Sequence, residues 1–288
     1  MHLLLALPAP AKLNLFLHVT GRRRDGYHEL QTAYVLTELA DWLDFERRTD
    51  GAIVRDGDLI GRVEDDLAML AAHALRQASG ISLGATINVT KRIPAGSGLG
   101  GGSSDAATTL IALNRLWDLN LPRTKLSAIG LQLGADVPFF LHGHHAFAEG
   151  IGERLTTIEL PATWFAIVWP QVPVSTREIF SDAGLTRNSK VTKIADFSAV
   201  AADAAGNLDF PSSLVNDLEP VARRRYPIID EAIKRLERFG AARMTGSGSA
   251  VFITARSREQ AELAVADMPS GWCTWVVQKL VEHPLAVW

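Results

Sequence analysis

The stretch IPAGSGLGGGSSDAAT, Ile93 to Thr108, constrains this chain more than any other segment. It sets Gly96, Gly98, Gly100, Gly101 and Gly102 between a strand pattern, ATINVTKRI, and a helix pattern, SSDAATTLIALNRLW. Glycine reaches positive φ without steric cost and lets a ligand approach the main chain where a Cβ would intrude. The helix that follows turns its unpaired amides and positive dipole end back into the loop. Together these make an anion site suited to phosphate. The pattern predicts Ser103 or Ser104 as the helix N-cap, with Asp105 in the first turn.

Two phosphate loops share parts of this pattern. Gly96 to Gly101 satisfies G-x-G-x-x-G, the dinucleotide-binding spacing, which would make the chain a nicotinamide-dependent oxidoreductase. In that motif the first glycine follows the strand directly, whereas Lys91 to Ala95 intervene here and Pro94 ends ladder pairing. Asp118 lies near the distance of a ribose-binding acid but follows a helix end, not a second strand. The Walker A loop needs a lysine before its Ser/Thr, and Gly102 stands there before Ser103. A plain structural connection and a phosphate loop of another family are the remaining readings.

Along the rest of the chain, PAKLNLFLHV alternates, with Lys12, Asn14, Phe16 and His18 on one face and Leu13, Leu15, Leu17 and Val19 on the other. That predicts a half-buried strand stopped by Thr20-Gly21. LQTAYVL, DWLDFER, AFAEG, WFAIVWP, AARMT, AVFITA and CTWVVQKL read as further strands. EDDLAMLAAHALRQASG reads as a helix closed by Gly80, and RTKLSAIGLQL as a shorter one ending near Gly134. YPIIDEAIKRLERFG and REQAELAVADM are further helices, and Ser181 to Ser213 is polar and loop-rich. Strands and helices mix without regular alternation, which predicts an α+β fold. A boundary near Leu155 to Pro161 divides the chain into domains 1–158 and 159–288.

With 47% apolar and 21% charged residues the chain is a globular protein, long enough for two modest cores. Its net charge of −3 offers no basic field for nucleic acid. Arg22-Arg23-Arg24 is a local cluster, either solvated or facing a phosphate. Cys273 is the single cysteine, so no internal disulfide forms, and it reads as a buried structural thiol. LLLALP is too short for a signal core or a membrane span and runs directly into the first strand, so a cytoplasmic protein without a membrane partner is expected.

Asp136, in LGADVPFF, is a carboxylate cornered among apolar neighbours, and such a group is paired or functional more often than idle. Lys12 stands on an apolar strand; pointing inward it needs an anion, and Asp136 would serve. Strand alternation puts Asn14 on the face of Lys12. Gly246 and Gly248 in TGSGSAVF fit a tight hairpin as well as a ligand loop.

The run P-x-G-x-G-L-G-G-G-S-S-D-A-A resembles the second motif of the GHMP kinases, the family of galactokinase and the homoserine, mevalonate and phosphomevalonate kinases. PAKLNLFLHVTGRRRDGYHEL resembles the family's first motif and ARMTGSGSAVF its third, in the family's order over most of the chain. GYHEL and LGADVPFFLHGHHAFAEGIGE are similar to the members whose acceptor is a CDP-linked sugar alcohol. The resemblance implies a two-domain GHMP kinase fold, a ribosomal-protein-S5-like N-terminal half beside a ferredoxin-like C-terminal half, with the site between them. It implies transfer of the γ-phosphate of ATP to the 2-hydroxyl of that acceptor, on the non-mevalonate route to isoprenoid precursors.

Residue by residue, the resemblance makes Asp136 the catalytic base and Lys12 its cationic neighbour. ATP is expected on Lys91, Pro94, Ala95, Gly96, Ser97, Gly98, Leu99, Gly100, Gly101, Gly102, Ser103 and Ser104. The acceptor is expected on Asn14, Tyr27, His28, Asp136, Thr176 and Phe180, with Tyr27 stacked on cytosine, His28 hydrogen-bonded to it and Phe180 on its other face. Gly246, Ser247 and Gly248 become a third, supporting loop. Close relatives carry E-N-L where this chain has EDDL, so Asp66 replaces an adenine-binding asparagine. Magnesium is expected with ATP; Ser103 or Ser104 could supply a hydroxyl and Glu149 a carboxylate, and no ligand set is assigned. A monomer and a homodimer are both compatible with the sequence. A silent sugar-phosphate sensor on the same fold is the alternative, against which the pairing of Lys12 with Asp136 argues.

Overall fold

A computed structural model of the chain describes residues 2–200, 208 and 213–288. The apolar first fifty residues form two long antiparallel partners, β1 (Leu3–Arg22) and β2 (His28–Arg48). LQTAYVL and DWLDFER are therefore one strand, since no glycine or proline lies between them to turn the chain. Nor does Thr20-Gly21 stop β1, which runs on to Arg22.

β1 is not half-buried. Lys12, Asn14, Phe16 and His18 are all 5% exposed or less, because a second sheet covers the outer face. The strict alternation also fails. Asn14 lies opposite Tyr34 but Leu17 opposite Thr32, a bulge that adds one residue to β1 and reverses its faces. Lys12 and Asn14 consequently share the cleft side with Leu17, while Phe16 turns into a core of Phe147 and Phe197.

On the other edge of β2, β4 (Gly84–Thr90) pairs with residues 42–48 and β5 (Ala146–Gly150) with residues 30–34. β3 (Ile53–Gly57), parallel to β4, and β6 (Arg154–Thr157) extend the sheet outward. One face buries α1 (Leu67–Ser79), α2 (Gly101–Leu116), α3 (Arg123–Leu133) and α4 (Val137–His142). Gly80 closes α1 in the left-handed region, as the sequence predicts, and Asp66 caps its start by accepting from the Met69 amide at 3.0 Å. α2 begins earlier than predicted. Gly100, at φ 78°, is its N-cap, so Ser103 and Ser104 lie within the first turn and neither caps. α4 and β6 carry no periodic signal long enough to be read from sequence.

The second sheet runs β10-β7-β9-β8, from β7 (Trp164–Trp169), β8 (Arg243–Met244), β9 (Val251–Ala255) and β10 (Cys273–Gln278). Its inner face meets the first sheet through Leu13, Leu15, Phe147, Phe165 and Phe252. Its outer face packs under α5 (Thr176–Ser181), α7 (Glu219–Arg225), α8 (Pro227–Leu236) and α9 (Arg258–Ala266). Between α5 and α7, α6 (Ile194–Val200) lies in the region read as loop; residues 201–207 and 209–212 of that region fall outside the described ones. α7 is also unpredicted, separated from α8 by Pro227, which cannot continue a helix from its N-terminal side. Cys273 is half-buried at the start of β10 rather than in the core. Among the described residues no helix is long and apolar enough to cross a membrane.

Candidate active site

A cleft of about 820 Å³ opens where loops of the two sheets converge. Lys12 and Asn14 of β1, Tyr34 of β2 and Asp136 at the start of α4 form its floor. The Lys12 ammonium stands 3.7 Å from Asp136 Oδ2 and donates to Asn14 Oδ1. The Tyr34 hydroxyl donates to Asp136 Oδ1 at 2.8 Å. Lys12 is almost fully buried, whereas the Asp136 side chain keeps 31% of its surface open to the cleft. Burial pushes the lysine pKa down and Asp136 opposes that shift. Burial, then the same carboxylate, lift the Tyr34 phenol well above its ordinary range. The carboxylate is thus held on its inner side by the Tyr34 hydroxyl and the Lys12 charge, with its outer side open to the cleft, which suits it to accept a proton from a bound hydroxyl.

The glycine loop walls this floor. At Gly100, whose φ of 78° favours glycine, an added Cβ would stand 3.1–3.2 Å from the Lys12 stem and 3.0 Å from Phe140, crowding the lysine. On the far side lies a second cavity of about 280 Å³, lined by Pro94, Ala95, Leu67, Lys91 and Asp66, and the two cavities share Gly96, Gly98 and Gly100. Leu99 is fully buried and faces the core, and the Ser97 hydroxyl donates to the Pro94 carbonyl at 2.7 Å, so these two shape the loop from within. Asp66 is occupied by the α1 cap and by Arg55 at 3.1 Å.

Lys91 is also occupied. Its ammonium bridges Asp105, at 2.6 Å, and Asp41. Burial works against its charge, but Asp105 and Asp41 outweigh it and raise its pKa. Burial pushes Asp105 itself up to about 7 against the pull of Lys91. Asp41 further accepts from the amides of Arg92 and Ile93, the latter at 2.8 Å. This buried triad ties the loop's entry strand to α2 and β2.

The second glycine loop is more than a hairpin. Gly98 sits so close to it that an added Cβ would stand 2.2 Å from the Thr245 carbonyl oxygen. The Ala250 amide donates to the Ser97 carbonyl at 2.9 Å, and the Asn14 amide donates to Thr245 Oγ1 at 2.9 Å. Asn216 Nδ2 donates to the carbonyls of Met244 and Gly246, both at 2.8 Å. Gly246 and Ser247 reach the cleft, whereas Gly248 backs onto Met244.

At the open end, Tyr27, His28, Thr176 and Phe180 line the same cleft. Tyr27 is 60% exposed on the rim. His28 and Phe180 stack on each other, centroids 5.0 Å apart, and Thr176 is hydrogen-bonded to Ser247 at 2.8 Å. Arg187 Nε donates to His28 Nε2 at 3.2 Å, which assigns the ring proton to Nδ1. Burial, then Arg187 and Arg22, lower the His28 pKa and keep it neutral.

Apart from Glu149, the residues assigned to the site from sequence lie in or beside the two cavities. Glu149 accepts from Gln31 at 3.0 Å on the far end of β2, away from the glycine loop. Ser103 lines the cleft, while Ser104 is fully buried. Tyr34, Asp41, Arg187 and Asn216 escaped the sequence reading because each acts through a partner distant in sequence, from 28 residues for Asn216 to 159 for Arg187.

Profiles described as "GHMP kinases N terminal domain" and "GHMP kinases C terminal" match residues 66–144 and 195–272. The 4-diphosphocytidyl-2-C-methyl-D-erythritol kinase of Aromatoleum aromaticum is 51% identical over 98% of this chain and 95% of its own length. That of Burkholderia pseudomallei is 50% identical over 96% and 94%. A crystal structure of 4-(cytidine 5'-diphospho)-2C-methyl-D-erythritol kinase superposes with a TM-score of 0.80 at 35% identity, covering 94% of this chain and 98% of the other. A mevalonate kinase structure, 15% identical, shares the fold with a TM-score of 0.67 over 96% and 99%. The α+β architecture is therefore the two-domain GHMP kinase fold, and the chain belongs to the GHMP kinases, among the 4-diphosphocytidyl-2-C-methyl-D-erythritol kinases.

Proposed function

We propose that the chain transfers the γ-phosphoryl group of ATP to the 2-hydroxyl of 4-diphosphocytidyl-2-C-methyl-D-erythritol, with 1–158 and 159–288 as its two domains. The observation that carries this reading is the Lys12–Asp136 pair, 3.7 Å apart on a floor between the glycine loop and the Tyr27, His28 and Phe180 rings. Adenine occupies the smaller cavity, and the triphosphate crosses the shared wall at Gly96, Gly98 and Gly100 toward Asp136. Backbone amides and the N-terminal end of α2 supply its positive field, since Lys91 is spent on Asp41 and Asp105.

The acceptor oxygen attacks the γ-phosphorus as the bond from that phosphorus to the β,γ-bridging oxygen breaks. Asp136 takes the hydroxyl proton, and the bridging oxygen leaves on ADP. Lys12 holds Asp136 ionised and stabilises charge on the attacking oxygen. Asn14 is fixed by Lys12 and Thr32 and orients the acceptor. Tyr27 and the Phe180–His28 stack give cytosine an aromatic surface, and the His28 Nδ1–H donates to it.

Magnesium keeps several waters and binds through few protein groups plus substrate phosphates. The site fits that habit, with the Ser103 hydroxyl lining the cleft at the glycine loop. Ser103 would hold the ion, whose chemistry is to neutralise phosphate charge. ADP production with the CDP-linked acceptor and with the same alcohol lacking the cytidine group tests the reading. Turnover with the first alone is expected; equal turnover with both overturns the acceptor assignment.

A further inference from the structure

Two guanidinium groups in the cleft take no part in the phosphoryl transfer described above. Arg22 and Arg177 line its open end, and neither side chain has an ion-pair or hydrogen-bond partner among the described residues. Their neighbours do. Arg23 pairs with Asp25 at 3.0 Å, and Arg187 holds His28 and the carbonyls of Leu185, Phe180 and Asp182. The acidic groups of the cleft are likewise taken, Asp25 by Arg23 and Asp136 by Lys12 and Tyr34. The lining is left with two unbalanced positive charges, both at the mouth.

Their placement is specific. Arg22 lies directly opposite His28 in the β1–β2 register. Arg177 is three residues before Phe180 on α5, hence on the same helix face. Because His28 and Phe180 stack at 5.0 Å, the two arginines flank one aromatic platform from two separate elements. In a nucleoside diphosphate the phosphates begin one ribose away from the base, the reach of a long side chain rooted beside the ring.

We propose that Arg22 and Arg177 clamp the diphosphate of the CDP-linked acceptor, making the diphosphate, and not cytosine alone, a condition of tight binding. This rests on the acceptor class proposed above. Guanidinium suits the task, since its planar fork donates two parallel hydrogen bonds to phosphate oxygens and is never deprotonated. The clamp also fixes the alcohol's distance from Asp136.

Calorimetric titration of the full chain with CDP and with cytidine, the nucleotide site saturated with ADP, tests it. Wild type binds CDP at least about tenfold more tightly than cytidine. Arg22→Ala and Arg177→Ala each remove about fivefold of that advantage and the double substitution removes nearly all of it, with cytidine affinity unchanged. Arg24→Ala, from the same basic run but off the cleft, keeps the wild-type ratio. The CDP advantage shrinks as salt rises. Equal affinity for the two ligands in wild type, or an advantage that survives the double substitution, overturns the clamp while the kinase reading stands. Failure of both ligands to bind, together with no phosphorylation of the CDP-linked alcohol, overturns the acceptor class and the clamp with it.

Discussion

Lys12 and Tyr27 line the same cleft, yet Lys12 is 3% exposed and Tyr27 60%. The floor is built into the seam between two sheets, and each polar atom of the Lys12–Asp136–Tyr34 group faces a partner before any ligand arrives. The mouth is assembled from a turn and a six-residue helix, with side chains left open. A phosphoryl transfer gains most from groups already in place, because reorganisation at the moment of reaction adds to the barrier. Recognition of a polar ligand tolerates exposed groups that settle on binding. Under the proposed function the two ends divide the labour, the floor being expected to govern kcat and the mouth acceptor KM.

Four experiments break or sharpen that division. Asp136→Asn keeps the side chain's shape and removes its basicity; kcat is expected to fall by about 10³-fold with acceptor KM little changed. A kcat within a few-fold of wild type would remove Asp136 as the base. Gly98→Ala drives a Cβ to 2.2 Å from the Thr245 carbonyl oxygen, so the two glycine loops must separate. A misplacement near 1 Å costs about 10²-fold in kcat, and steady-state kinetics beside an unchanged melting temperature would place the defect in the site.

The third experiment addresses the core behind the floor. Near it, the C-terminal segment is tied back by two buried histidines. His145 accepts from the Leu36 amide at 3.2 Å and bonds the Leu280 carbonyl at 2.9 Å, while His283 accepts from the Leu285 amide at 3.0 Å. Burial, then Lys279, hold His145 down to about 4; burial, then Arg123, hold His283 down to about 3. Both folded values lie below the ordinary histidine range near 6.5. The unfolded chain therefore binds more protons between that range and the folded values, and stability falls as pH drops through this window. The loss is on the order of 2–3 kcal/mol for His145 alone by pH 4, readable in urea melts at successive pH values. A flat profile down to pH 4.5 would show that these rings are not held neutral. Last, Phe180→Ala strips the platform at the mouth. Acceptor KM is expected to rise about tenfold with kcat near wild type. A fall in kcat alone would mean the mouth also shapes the floor.

The division also marks what was legible. Residues that announce themselves by local chemistry were readable: a glycine run before a helix, a lysine on an apolar strand, an aspartate among phenylalanines. Asn14 was read onto the face of Lys12, and the structure keeps it there because the bulge begins only beyond it. Phe16 and His18 were misplaced for that same reason, since one inserted residue reverses a period of two. Lys91 stands beside the glycine loop in sequence, but its charge is consumed by carboxylates from β2 and α2. The family likeness pointed to Tyr27 and His28, which line the cleft, while Arg187, which sets the ring proton of His28, lies 159 residues from it and bears no local mark.

The sequence by itself determined the glycine loop ahead of α2, the mixed α+β class and the pairing of Lys12 with Asp136, because these depend on backbone freedom, periodicity and residue chemistry over short spans. The tertiary structure alone decided which groups are free to act. Pairing of charges in a low-dielectric seam depends on what lies across it, and so Lys91 is spent, Asp136 is held on one side only, and Arg22 and Arg177 are left open.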